Sequence, residues 1–385
     1  MRNDRDHKGS LSDLALVFLR LGTTAFGGPA AHIAMMEDEV VRRRHWMTRE
    51  EFLDLLGAAN LIPGPNSTEL AIHVGHRQRG WAGLLIAGAS FIIPAVLIVT
   101  GFAWAYVRYG SLPEVAGILY GVKPVIIVIV LQALWLLGKT AVKTKFLAVI
   151  GLACVALTWL GVHELLILAG AGLAVVVVKA FPQRKDRRVR SVVSLSQFAF
   201  VLQATASTTS TFGLLPLFLF FLKVGAVLYG SGYVLLAFIR ADLVERWHWL
   251  TESQLLDAIA VGQVTPGPVF TTATFIGYVL GGYRGAIVAT LGIFLPAFCF
   301  VALSGPLVPR IRRSPTARAF LDGVNVAALS LMVLVTYQLG RASLVDIKTL
   351  LIAVISGYIL FRFRINSSWL VLGGAVVGWI VSRGW

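Results

Sequence analysis

The tripeptide Pro-Gly-Pro occurs twice, as Pro63-Gly64-Pro65 and Pro266-Gly267-Pro268, each time inside a long apolar stretch (residues 52–75 and 255–280). A proline within a helix removes a backbone donor and clashes with the preceding turn. A glycine between two prolines adds freedom where a helix needs none. The copies lie 203 residues apart, and their surroundings repeat with them: 16 of the 51 positions from 18 to 68 are identical at that shift. Phe18-Leu19 falls on Phe221-Leu222, Gly22 on Gly225, His45-Trp46 on His248-Trp249, Thr48 on Thr251, Asp54 on Asp257 and Thr68 on Thr271. At a shift of 202 the match resumes, pairing Pro94 with Pro296 and Gly121-Val122 with Gly323-Val324. Shared apolar composition does not place Trp, His, Asp and Pro in register. The chain is therefore two related halves, an organisation that recurs among transporters.

Of the 385 residues, 57% are hydrophobic and 14% charged. Residues 81–107 and 115–137, like 285–304 and 325–339, form apolar runs of the order needed to cross a bilayer, about 20 residues. These features define an all-α polytopic membrane protein with about 10–13 membrane segments. The net charge of +15 is dispersed in short segments between apolar spans, as the positive-inside rule expects, so no nucleic-acid partner is inferred. The first ten residues are polar and show no signal peptide. Cys154 and Cys299 fall in apolar spans and imply neither a disulfide framework nor a metal site. No hydrolase elbow, nucleotide-binding glycine loop or metal-spaced His/Cys set is present, so neither enzymatic chemistry nor a cofactor is expected.

Thr48-x-x-Glu51 and Thr251-x-x-Gln254 are capping boxes, with Met47/Phe52 and Leu250/Leu255 placed as hydrophobic staples. Helices are expected to begin there and to stop before each Pro-Gly-Pro. Fifteen residues at about 1.5 Å each give about 22 Å, short of the roughly 30 Å hydrocarbon core. A second helical piece can start at Pro65, making a discontinuous helix or a re-entrant hairpin. Residues 146–178 are long enough for two short spans with a turn at Gly161-Val162-His163-Glu164. The expected division is a first repeat over 1–182, a second over 212–385, and between them a basic cytoplasmic linker followed by an ambiguous Ser/Thr-rich segment (183–211). Residues 108–114 carry one cation and one anion, whereas their counterpart at 306–318 carries Arg310, Arg312, Arg313 and Arg318. Opposite bias in equivalent loops points to halves inverted across the membrane.

A helix break in a membrane is tolerated where it is buried in protein or lines a cavity. The N-terminus of the resuming half-helix aims free amides and a positive dipole end into that cavity. Asn66, Ser67 and Thr68 stand there in half one, Thr271 and Thr272 in half two, a set suited to a small oxyanion. The competing reading is a proline kink used only for packing. Arg20 and Lys223 occupy equivalent positions within apolar spans; intramembrane cations are expensive and usually functional, and two can flank a dianion, unless both snorkel to the headgroups. Lys123 is a further cation, matched by Asn325. Gly27-Gly28-Pro29 and Gly230-Ser231-Gly232 form a second pair of breaks, offering amides to an anion or close helix packing. Asp54, Asp257 and Glu69 are candidate proton carriers or ion-pair partners of these cations. The charge run at 37–44 reads as a solvated or interfacial face, and His45-Trp46 and His248-Trp249 as interface anchors.

Phe26-Gly27-Gly28-Pro29, His45-Trp46-Met47-Thr48 and Leu61-Ile62-Pro63-Gly64-Pro65 resemble the signature of the chromate ion transporter family. The second-half versions, Gly230-Ser231-Gly232, Trp247-His248-Trp249-Leu250-Thr251 and Thr265-Pro266-Gly267-Pro268, resemble it as well. The likeness covers nearly the whole chain, as in the long, two-domain members. It implies a multi-pass protein of a bacterial-type inner membrane that exports chromate and confers resistance to it. Sulfate is a tetrahedral dianion of similar form and remains an alternative substrate. A membrane-embedded sensor or structural subunit is the alternative from another class, and a homodimer is compatible with either.

Overall fold

The computed structural model describes residues 9–26, 28–180, 211–229, 232–363 and 365–383. The expected linker and Ser/Thr-rich segment lie largely outside these residues, as do Gly27, Gly230 and Ser231. The described residues are helical, with no strand among them. In half one, α1 (Leu11–Thr24), α2 (Gly28–Glu37), α3 (Arg49–Ala59) and α4 (Asn66–Tyr109) lead to α5 (Pro113–Ala141), α6 (Lys145–Trp159) and α7 (Glu164–Ala180). Half two repeats the order with α8 (Leu214–Val227), α9 (Leu235–Ile239), α10 (Glu252–Val264), α11 (Thr272–Arg313), α12 (Pro315–Ser343), α13 (Ile347–Phe363) and α14 (Ser367–Ser382). Helices α4, α5 and α12, and the segment Val269–Ser304, are long and apolar enough to cross a membrane.

Both capping boxes form: Thr48 and Thr251 accept from the amides of Glu51 and Gln254, whose side chains reach back to the cap amides. Ahead of each box, α2 and α9 run into π-helical turns, Asp38–Arg43 and Arg240–Arg246. Each turn is closed by a histidine with positive φ, 52° at His45 and 54° at His248, a conformation histidine tolerates better than most side chains. The next amides then reach back six residues, Trp46 to Val40 and Trp249 to Leu243, both at 2.8 Å. The His-Trp pairs thus terminate helices. The charged run at 37–44 is laced by ion pairs, Arg43–Asp38 and Arg44–Glu39 at 2.8 Å.

The span expected at 81–107 is present as the second limb of α4, which breaks at Arg79 and Gly80. Residues 66–78 fold back as a short helix on residues 81–109, so closely that a methyl on Gly75 would lie 2.2 Å from the Gly83 carbonyl oxygen. Half two repeats this hairpin, with its break at Gly281 and Gly282 and Gly277 against Gly285. The sequence reading missed the break because the glycines that form it sit among many others in apolar surroundings. The basic loop expected at 306–318 is largely helix: α11 continues to Arg313, and Ser314 alone separates it from α12, capping the Ala317 amide.

The halves are intertwined. α4 packs on α1 and α11 on α8, and the two hairpins meet along α4 and α11. Beyond them the partners cross over: α5 packs on α13 and α14 of half two, while α12 packs on α6 and α7 of half one. Small residues allow this closeness. A methyl on Gly121 would lie 2.1 Å from the Gly374 carbonyl oxygen, and one on Gly323 would lie 2.4 Å from that of Ala171. Large apolar side chains such as Leu152, Leu173, Leu351 and Trp369 remain exposed on the outer helices, as a lipid-facing surface requires.

Candidate functional site

The two Pro-Gly-Pro turns cross at the centre of the fold. The Gly64 amide donates to the Leu228 carbonyl at 2.8 Å, and the Gly267 amide to the Ala25 carbonyl at 3.0 Å. These are one contact made twice, because Ala25 and Leu228 are repeat-equivalent ends of α1 and α8. Each turn also sits against the long helix of the other half: a methyl on Gly64 would come 3.9 Å from Cβ of Ala297, one on Gly267 2.8 Å from Cβ of Ala95. Both glycines have positive φ, 138° and 87°. The short limb that follows in half one is buried throughout residues 67–75, and α3 stops where its chain turns into Pro63.

Half one equips its turn with polar groups. Pro65 caps α4, and its carbonyl accepts the amides of Thr68 and Glu69 at 2.7 and 3.0 Å. His32 of α2 is buried, with Nε2 3.0 Å from the Ala25 carbonyl and Nδ1 3.3 Å from Ser67 Oγ. A carbonyl can only accept, so Nε2 carries the proton and Nδ1 accepts from the Ser67 hydroxyl. Thr68 Oγ1, both carboxylate oxygens of Glu69 and His73 Nε2 are buried without any hydrogen-bond partner. Glu69 and His73 are four residues apart, hence on one face. Such unpaired groups cost free energy unless something meets them in another state. Tyr229, just after α8, lies within electrostatic range of Glu69.

Half two is apolar at the same places. Leu235 and Phe270 replace His32 and Ser67, and Phe275 stands for His73. Thr271 and Thr272 give their hydroxyl protons to the carbonyls of Pro268 and Val269, at 2.8 and 2.9 Å. They have no proton left for an anion. Asn66 is also engaged, donating its side-chain amide to Asn60 at 2.7 Å.

The cations are dispersed. Arg20 is exposed on α1 and makes no ion pair among the described residues. Lys223 is paired with Asp242 at 2.5 Å, and Asp242 also meets Arg246. Lys123 is paired with Asp257 at 3.3 Å, touches Ser253 at 2.6 Å, and shares Asp257 with the Tyr106 hydroxyl at 2.9 Å. Asp257 of α10 lies side by side with Lys123, and Asp54 is exposed on α3. Gly28 has a positive φ of 76° and opens α2; Gly232 opens a short 3-10 turn ahead of α9. His32, His73, Tyr229 and Asp242 were not singled out from sequence. A histidine four residues after Gly28 was visible there, but nothing marked it as facing Ser67 rather than lipid.

A family model described as "Chromate transporter" matches residues 12–176 and again 215–379. A "Chromate transport protein" of Cupriavidus metallidurans is 34% identical over 96% of this chain and 92% of its own. A "Probable chromate transport protein" of Synechococcus elongatus is 34% identical over 90% and 89%. An "Uncharacterized transporter YwrA" of Bacillus subtilis is 30% identical, with 92% of its length matching only 42% of this chain. No solved structure matches.

Proposed function

The chain belongs to the chromate transporter family, and from that premise we propose that it is a secondary transporter moving chromate out of the cytoplasm across the inner membrane, thereby conferring resistance. The observation that carries this reading is the crossing of the two turns, with unpaired buried hydroxyl and carboxyl groups on one of them. Chromate is a tetrahedral oxyanion whose oxygens accept from hydroxyls and from first-turn amides. The N-terminus of α4, with Thr68, supplies both.

The sites are unequal. Half one binds, through the unpartnered Thr68 hydroxyl and the first amides of α4, and Ser67 joins only by giving up its bond to His32. Half two braces, because its hydroxyls are committed to its own turn. Lys123 and Lys223 serve as charges that a passing dianion draws away from Asp257 and Asp242, and Arg20 as an exposed cation near the end of α1. Glu69 occupies the place where the anion would sit. An ionised Glu69 opposes binding and a protonated one donates, so it is the leading proton carrier. An inside-negative potential itself favours exit: about 2.3 kcal/mol per charge per 100 mV gives roughly twice that for a dianion.

Everted membrane vesicles test this directly. Labelled chromate should accumulate inside when the membrane is energised. Failure to take up either chromate or sulfate would refute transport of this class. Uptake of sulfate that excess chromate does not compete would assign the site to sulfate.

A further inference from the structure

Away from the crossing, a cavity of about 730 Å³ opens between the α6–α7 turn of half one and the second π-helical turn and α12 of half two. Three arginines and two glutamates line it. Arg246 is committed to Glu164, which its terminal nitrogen meets at 3.0 and 2.9 Å, and to Asp242. Arg240 is held at 2.5 Å by Glu245 and at 2.5 Å by Glu252. It is only 9% exposed, and its Nε has no partner. Arg341, at the end of α12, is exposed and makes no ion pair among the described residues. Arg240 and Arg246 are thus matched by Glu245, Glu252, Glu164 and Asp242, which leaves Arg341 as the lining arginine with no carboxylate partner among the described residues. Gln338 adds a buried carbonyl oxygen, also without a donor.

The rim is of a different character. Trp159 and Tyr337 lie with ring centroids 6.2 Å apart and are 68% and 51% exposed, beside Leu160 at 76%. Exposed aromatic residues at a helix end mark the membrane–water interface, where polar headgroups meet hydrocarbon. A cavity with one spare positive charge, an unpaired guanidinium donor and an unpaired acceptor, opening toward such a rim, matches a lipid headgroup.

We infer that this cavity is a tetrahedral-oxyanion site filled by the phosphodiester of an anionic phospholipid. Arg341 supplies the counter-charge, Arg240 Nε donates to a phosphate oxygen, and Gln338 accepts from a headgroup hydroxyl. A phosphodiester monoanion supplies the single negative charge that Arg341 lacks; a dianion such as free phosphate or chromate brings one more than Arg341 offers. The acyl chains leave across Trp159 and Tyr337. The site joins the crossed-over pair α6–α7 to α12, so the lipid ties one half to the other.

The test uses the full chain, purified and delipidated in detergent, with its melting followed against added short-chain phosphatidylglycerol. A saturable rise in melting temperature is expected, together with retained phosphatidylglycerol in native mass spectrometry. Arg341→Gln should raise the half-saturating concentration about tenfold, the scale of one hydrogen bond to a charged group, and Arg341→Lys should recover part of it. Arg341 is exposed, so its loss leaves no buried partner behind. An equal response to short-chain phosphatidylcholine, or an unchanged one in Arg341→Gln, overturns the site. Inorganic phosphate that reproduces the rise in wild type but not in Arg341→Gln assigns it to a free oxyanion and overturns the lipid; protection by chromate at the same residue makes it part of the transport path and does likewise.

Discussion

Replacing Gly267 by alanine separates the crossing from an ordinary bend. Its φ of 87° costs an L-residue about 1–2 kcal/mol. The new methyl would lie 2.8 Å from Cβ of Ala95 and 3.1 Å from the Gly22 carbonyl oxygen, an overpacking of about 1–3 kcal/mol. Moving the turn away to relieve it weakens the Gly267–Ala25 hydrogen bond, worth about 1 kcal/mol. The sum is about 3–6 kcal/mol. Gly161→Ala is the control: its φ of 76° is similarly positive, but nothing lies within 4 Å of the added methyl, so only the backbone term of about 1–2 kcal/mol applies. Thermal melting of both variants in one detergent, with the amount reaching the membrane, measures the difference. Gly267→Ala should be markedly less stable than Gly161→Ala. Equal melting of the two would refute the claim that the turns are locked by reciprocal contact.

Other outcomes follow from the same geometry. Thr68→Ala should raise the KM for chromate about tenfold, the scale of a hydrogen bond to a charged ligand, and Ser67→Ala should raise it less, because its hydroxyl is held by His32. Thr271→Ala and Thr272→Ala should leave KM nearly unchanged and be read in melting instead; equal KM effects in both halves would contradict the division into binding and bracing turns. Lys223→Gln strands Asp242 without one of its cations and should lower both stability and transport, whereas Arg20→Gln should lower apparent affinity without altering melting. Wild-type affinity in both variants would make these residues anchors. Single cysteines at Ser111 and Ser314 should label from opposite sides of the membrane if the halves are inverted; labelling from one side would mean a parallel duplication. Asp346 immediately precedes α13, and its carboxyl is held below its ordinary value by the Thr349 amide and then by the Tyr120 hydroxyl. A lowered carboxyl stabilises above its unfolded value, about 3.9, and the contribution fades as pH falls through the folded value. Melting of Asp346→Asn should therefore differ from wild type at neutral pH and converge with it in acid.

Much of the architecture was legible because covalent rules are local. The capping boxes announced where α3 and α10 begin, the prolines announced where they end, and the repeat announced that both happen twice. The turn between α6 and α7 fell where Gly161 has positive φ. What stayed hidden depends on contacts between distant segments. No local pattern says that α5 prefers α14 to α6, since the small residues on each are merely small until a partner's backbone arrives. The site was legible to the level of the turn but not of its lining. Glu69 and Thr68 were visible as polar residues after Pro65, but their lack of partners is a property of the whole surround, as is the engagement of Thr271 and Thr272 with their own carbonyls. Lys223 looked like a free cation only because Asp242, nineteen residues on, is brought back to it by α9 and its π-helical turn.

The crossed-over helices carry a consequence for biosynthesis. The partners of α5 are made long after it: α5 ends at residue 141 and α14 at residue 382, a delay of 382 − 141 = 241 residues. At about 5–20 residues per second, that is roughly 10–50 seconds in which Gly117 and Gly121 present a bare backbone face inside the bilayer. Insertion machinery or a neighbouring nascent chain has ample time to occupy that face. The opposite interface has a shorter wait, because α6 and α7 are already made when α12 emerges. Assembly is thus ordered in time, with the α5–α14 contact closing after the α6–α7–α12 interface, and a premature stop within α14 would leave α5 without a main neighbour.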